Sequence, residues 1–178
     1  MKKNHHGVFY SQKYRSSCGI ALIRAVFENK FNVKREEDTL IKRAQKLYED
    51  KCNGNPHQET YTIRGHGTDV YHFKNLAEYY GLKAFSKKNG KIEDLEFLID
   101  NGLWPIIHRK FEEDHDSHYV LVYDYDTSIY LFDPILQGIF KQESYEEFDS
   151  KWLFKDEKWF IFLYKENSIK IPFRGKYL

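Results

Sequence analysis

Apolar residues recur at helical spacing from position 18 onward. Cys18, Ala21, Leu22, Ala25 and Val26 fall on one face of the stretch YSQKYRSSCGIALIRAVFE, residues 10–28. The spacing predicts a helix that starts at Ser16 or Ser17, carries Cys18 in its first turn and buries one face. Polar residues Asn32 to Arg35 interrupt the pattern, and Leu40, Ile41, Ala44, Leu47 and Tyr48 resume it, predicting a second helix over Glu36–Tyr48. Asp50–Thr68 loses the period, and Gly54, Pro56, Gly65 and Gly67 mark it as a loop, a long one for a compact domain. A third helix is predicted over Asp69–Tyr80 from Val70, Phe73, Leu76, Ala77 and Tyr80, stopped by Gly81, and a fourth from about Ile92 to Asn101, stopped by Gly102.

Past Gly102 the texture changes. Trp104–Arg109, Tyr119–Tyr125, Ile129–Phe132 and Lys158–Tyr164 are rich in β-branched and aromatic residues and read as strands, as does the shorter Leu82–Phe85. Ser144–Trp152 reads as a short helix between the last two. Helices first and strands afterwards predict an α+β domain, with N-terminal helices packed on a C-terminal, mostly antiparallel β-sheet. No repeat or linker divides the chain, so residues 1–178 are expected to form a single domain.

Composition narrows the classes. Hydrophobic residues make up 41% and aromatics 17%, enough for a packed core and against disorder. Lys plus Arg (28) balance Asp plus Glu (27) to a net charge of +1, so nothing in the charge recruits nucleic acid or a membrane surface. The start, MKKNHHGVFYSQ, lacks the apolar run of a signal peptide, and no later stretch is apolar enough to span a bilayer; the expectation is a soluble, cytoplasmic protein. Of the two cysteines, Cys52 lies in the polar stretch DKCNGNPHQET, so two reduced thiols are expected rather than a disulfide.

Cys18 has the position of a nucleophile. The thiolate is the reactive form, and a helix N-terminus favours it with partial positive charge. Gly19 leaves room for a substrate carbonyl to approach the backbone, and Ser17 flanks the same place; both are candidate substrate-binding residues. Gln12, a short loop upstream, is placed to set its amide beside the Cys18 backbone N–H as a second oxyanion donor. Further along, His118 opens HYVLVYDY and Asp133 closes IYLFDP, flanking a hairpin that turns near Asp126–Ser128. With an even number of loop residues the two side chains project from one face as a diagonal cross-strand pair. The imidazole then takes the Cys18 proton, and Asp133 fixes its tautomer.

These residues resemble the C39 peptidases, papain-like cysteine peptidases best known as N-terminal domains of bacteriocin-exporting ABC transporters. The matching text is Gln12, then Cys18-Gly19-Ile20-Ala21; Leu76-Ala77-Glu78-Tyr79-Tyr80-Gly81-Leu82; Gly102-Leu103-Trp104-Pro105-Ile106-Ile107; His118-Tyr119-Val120-Leu121-Val122; and Phe132-Asp133-Pro134 with Gly138 after it, spanning about Tyr10 to Trp152. The resemblance implies a papain-like fold, with Cys18 as nucleophile, His118 as general base, Asp133 as its orienter and Gln12 as oxyanion donor. It implies a peptide or protein substrate and suggests leader peptides cut after a double glycine. The chain departs from the family at Ser17, where an acidic residue is common, in the longer 50–68 insertion and in the 166–178 tail, and a free-standing domain with no transporter after it is expected.

Other readings compete. The same thioester at Cys18 can pass to an amine, giving acyl transfer in place of hydrolysis. A catalytically silent, peptide-binding version of the fold is a second alternative. The histidines His57, His66, His72, His115 and His118 invite a metal site, but no CxxC or HExxH pattern accompanies them, so neither metal nor other cofactor is expected. Trp104 and Trp152 are expected in the core. His108 and Arg109 either touch substrate or are polar strand-end residues, and Gly54–Gly67 is either a lid over the cleft or a surface loop.

Overall fold

The computed structural model describes residues 7–52, 62–110, 117–135, 137–153 and 157–178. The first helix, α1 (Cys18–Phe31), runs one turn beyond the expected apolar face and stops where Asn32 takes the left-handed conformation at φ 57°. Nine of its residues, Cys18 to Ala25 without Arg24 together with Val26 and Phe27, are buried. Helix α2 (Glu37–Cys52) follows, with Glu37 and Asp38 in its first turn, where negative charge suits the helix dipole. The predicted 50–68 loop is not loop throughout. Ile63–His66 forms a single helical turn, α3, anchored by the fully buried Ile63 and by Arg64, which donates to Asp38 and to the Tyr14 hydroxyl. Residues 54–61 of the candidate lid lie outside the described residues.

Helix α4 (Val70–Tyr79) is capped reciprocally: Asp69 accepts from the Tyr71 N–H, and His72 Nδ1 accepts from the Asp69 N–H. Strand β1 (Lys83–Lys87), helix α5 (Ile92–Asp100), β2 (Ile106–Lys110), β3 (Ser117–Tyr125), β4 (Ile129–Asp133), β5 (Ile139–Glu143), helix α6 (Tyr145–Lys151), β6 (Trp159–Tyr164) and β7 (Lys176–Tyr177) complete the order. The strands form one sheet in the order β5-β4-β3-β2-β6-β1-β7, and each pairing is antiparallel.

The layering is more interleaved than helices followed by sheet. One face of the sheet, with Ala84, Ile106, Tyr119, Leu121, Phe132, Ile161 and Leu163, packs on α1, α2 and α4 through Ile23, Phe27, Leu40, Phe73 and Leu76. The other, with Phe85, Ile107, Val120, Val122, Ile129, Leu131, Phe160 and Phe162, is covered by Leu95 and Leu98 of α5, Phe148 of α6 and Trp152. Burying each such side chain contributes about 1.5–3 kcal/mol, which is why α1, apolar nearly all round, becomes the central helix. Trp152 is fully buried with its Nε1 donating to the Trp159 carbonyl, and Trp104 is buried against Phe9 at 5.3 Å between ring centroids, so both tryptophans are core residues. The tail is part of the same body: Phe173 packs on Phe85 and Phe97, and β7 with the Leu178 N–H pairs to β1.

Two placements were hidden from pattern. Strand β5 exposes both Ile139 and Phe140, so it shows no alternation. Arg109 is no strand-end residue reaching for substrate. It is buried, and its guanidinium pairs at 3.2 Å with the equally buried Glu143, tying β2 to a strand that is not its neighbour. His108 stacks on Tyr119 at 4.5 Å between ring centroids.

Candidate active site

Helix α1 packs along β3, and this brings the start of α1 beside the start of β3. Cys18 and His118 come near enough there for the thiol to act on the imidazole. The partner of His118 on the far side is Asp133, whose Oδ1 accepts from His118 Nε2 at 2.6 Å. With Nε2 turned to Asp133, Nδ1 is the ring nitrogen left for the thiol. All three are buried, at 8%, 7% and 4% exposure, so the pair and its carboxylate act in a poorly screened setting.

The hairpin reaches this geometry by an indirect route. Tyr125 pairs with Ile129, so the loop is Asp126–Ser128, three residues and not an even number. That register alone puts His118 and Asp133 on opposite faces. A register shift between Val122 and Asp124 makes Tyr123 an extra residue, and beyond it Val122 pairs with Leu131 and Leu121 with Phe132. Continued by one pair, Asp133 falls opposite Val120, two residues from His118 on the same face. The bulge restores what the odd loop removes.

The charges follow from contacts. Burial works to lower the His118 value, but the hydrogen bonds to Asp133 and Cys18 and the charges of both groups outweigh it and push the imidazole up to about 9. Burial works to raise the Asp133 carboxyl, and the His118 bond, the Ile135 N–H at 3.1 Å and Lys141 at 3.5 Å hold it below the ordinary range instead. Both shifts favour a protonated imidazole facing an ionised carboxylate. Such an imidazolium is the natural partner of a thiolate.

Gln12 lies at the same place but is turned differently from the sequence expectation. Its backbone N–H donates to the Pro134 carbonyl at 2.6 Å, fixing the loop before Cys18 to the residue after Asp133. Its amide Nε2 donates to the carbonyls of Tyr14 and Arg15 at 3.0 and 2.7 Å, both within its own loop. Ser17 is fully buried, with its hydroxyl between Tyr14 and Glu37, so it presents nothing to a substrate. Gly19 has a packing reason of its own: a Cβ there would sit 2.7 Å from Thr68 Cβ. The open approach at Gly19 is filled by Thr68, a residue that its position in a polar loop did not single out. Its Oγ1 is buried with no hydrogen-bond partner among the described residues.

The metal alternative finds no cluster. Among the described residues no group of three or more His, Cys, Asp or Glu is arranged to hold a metal ion. His57 and His115 lie outside the described residues. His72 is buried, and desolvation pulls it to about 4 against the pull of Asp69, so it stays neutral. No helix among the described residues is long and apolar enough to cross a membrane.

A family model described as the Peptidase_C39 like family matches residues 6–156. Among solved structures, the crystal structure of the peptidase domain of Streptococcus ComA, described as a bi-functional ABC transporter involved in a quorum sensing pathway, is similar at a TM-score of 0.65 and 17% identity, covering 90% of this chain and 100% of that one. At that identity the likeness is one of fold. No curated protein gives a significant match.

Proposed function

The chain belongs to the peptidase C39-like family, and from that premise we propose that it is a cysteine peptidase that hydrolyses peptide bonds through a thioester at Cys18. The observation that carries this reading is the contact chain from Cys18 through His118 to Asp133 at the start of α1. His118, protonated beside the thiolate, donates its proton to the leaving amine once Cys18 has attacked the carbonyl. The same nitrogen then takes a proton from the water that releases the acid. Asp133 keeps the ring oriented and its charge compensated.

The oxyanion is received by the Cys18 backbone N–H at the helix start and by Gln12, which exchanges its longer contact, to Tyr14, for the substrate oxygen. Catalytic hydrogen bonds of this kind tighten only when substrate is bound. Gln12→Ala is expected to lower kcat by roughly 10²–10³-fold, the usual effect of losing one such donor. Ser17 has no substrate role in this mechanism, and Gly19 contributes space for Thr68.

The substrate class proposed is a peptide carrying a double glycine before the scissile bond, which rests on the resemblance of Gln12, Cys18, His118 and Asp133 to the family motif. Incubation of the protein with double-glycine leader peptides, followed by mass spectrometry of the products, tests it. Cleavage after the second glycine is the expected result. Cleavage elsewhere in the peptides keeps the peptidase and removes the specificity.

A further inference from the structure

The residue before Cys18 is of the type that ordinarily caps a helix, its hydroxyl accepting from an N–H two or three residues on. Ser17 makes no such bond. Its Oγ donates instead to Glu37 Oε1 at 2.6 Å and accepts from the Tyr14 N–H at 3.1 Å. The Tyr14 carbonyl also lies 2.9 Å away, but a hydroxyl has one proton, and the shorter bond to a carboxylate is the stronger claim on it.

Glu37 is itself unusual for a charged residue at the first position of a helix, being 3% exposed. Its two oxygens accept from the Lys13 N–H at 3.0 and 3.2 Å. A buried carboxylate from α2 thus holds both ends of the loop Lys13–Ser17, the loop that leads from Gln12 to Cys18. Ser17 itself sits at φ −100°, ψ 19°, outside the extended backbone of a capping residue, and the grip of Glu37 on both ends of the loop holds that conformation, with the hydroxyl turned away from the start of α1. The first-turn amides are then left uncapped by Ser17 at the one place where the mechanism needs positive potential for the thiolate and for the developing oxyanion. A capping hydroxyl would set an oxygen over those amides and compete with both.

We propose that Glu37 is a positioning residue that holds Ser17 off the start of α1, keeping the helix amides open for the Cys18 thiolate and the oxyanion. The proposal rests on the peptidase reading. Its test compares the wild type with Glu37→Ala, Ser17→Ala and the double variant, reading kcat and KM for peptide cleavage and, separately, the rate at which iodoacetamide alkylates Cys18. Glu37→Ala frees Ser17 to cap the helix, and the expected loss in kcat is about tenfold, the typical worth of a capping bond, with KM changed less. Adding Ser17→Ala removes the competing hydroxyl and is expected to recover most of that loss in both readouts. A merely structural Glu37 predicts the opposite order, with the double variant no faster than Glu37→Ala, and that result overturns the proposal.

Where Glu37→Ala does not fold, the same comparison is made with Glu37→Gln, whose neutral amide holds Ser17 less tightly; a smaller loss, again reversed by Ser17→Ala, is expected, and an unreversed one counts against the proposal. Failure of the two readings is separable. A wild type that cleaves no peptide and shows no preferential alkylation of Cys18 removes the peptidase assignment, whereas an active wild type with an unrescued double variant removes only the role of Glu37.

Discussion

Cys18→Ala is expected to abolish peptide cleavage while leaving the fold in place. The substitution removes the only atom that forms the thioester, so no slower route through His118 and Asp133 remains. Its structural cost is small. Cys18 sits at the rim of the core, 8% exposed, and Ala removes one sulfur from a helix that Ile20, Leu22, Ile23 and Phe27 anchor independently. A loss near about 1 kcal/mol is expected, which for a chain of this size moves the melting temperature by roughly 2–4 °C. Turnover by product mass spectrometry and melting by circular dichroism check the two halves together. Full activity in Cys18→Ala would remove every role assigned around it.

His118→Ala carries the second large effect, and it reaches both activity and stability. Loss of a positioned proton donor and acceptor lowers the rate by roughly 10²–10⁴-fold. The variant also leaves Asp133, 4% exposed, without its 2.6 Å partner and with Lys141 at 3.5 Å as the nearest cation. Breaking a buried pair from one side costs about 3–5 kcal/mol, so activity is to be compared at a temperature where the variant is folded by urea titration. The pH dependence gives the sign of the mechanism. His118 holds its proton up to about 9 in the folded protein, so wild-type kcat/KM is expected to persist through neutral pH and to fall as pH rises through about 9. The residual activity of His118→Ala lacks that alkaline fall. A wild-type fall near 6.5, the ordinary histidine value, would mean that Asp133 does not support the imidazolium.

Much of the fold was legible because its strongest elements are periodic. Cys18, Ala21, Leu22, Ala25 and Val26 declare α1, and the β3–β4 hairpin announces itself through two runs of β-branched and aromatic residues between His118 and Asp133. What escaped was set by tertiary contact. Strand β5 exposes Ile139 and Phe140 and carries its buried charge, Glu143, at the end, so its pattern resembles a polar loop until Arg109 is seen against it. The bulge at Tyr123 has no local signature, yet without it the three-residue turn would separate His118 from Asp133. Glu37 reads as an ordinary acidic first-turn residue, and only the packing of α2 against the Lys13–Ser17 loop turns its carboxylate inward. In the same way Gln12 was recognisable by its place before Cys18, while the direction of its amide depends on carbonyls of a loop whose shape the sequence does not spell out.

The central claim is an activated Cys18 paired with a protonated His118, and limiting iodoacetamide tests it most directly. The native protein is labelled across pH 5–9, and intact mass with peptide mapping assigns each adduct to Cys18 or Cys52. Selective modification of Cys18 over Cys52, lost in His118→Ala, is the predicted result. Slow labelling with preference for Cys52, rising along an ordinary thiol profile, would contradict it and leave Cys18 as a buried structural thiol.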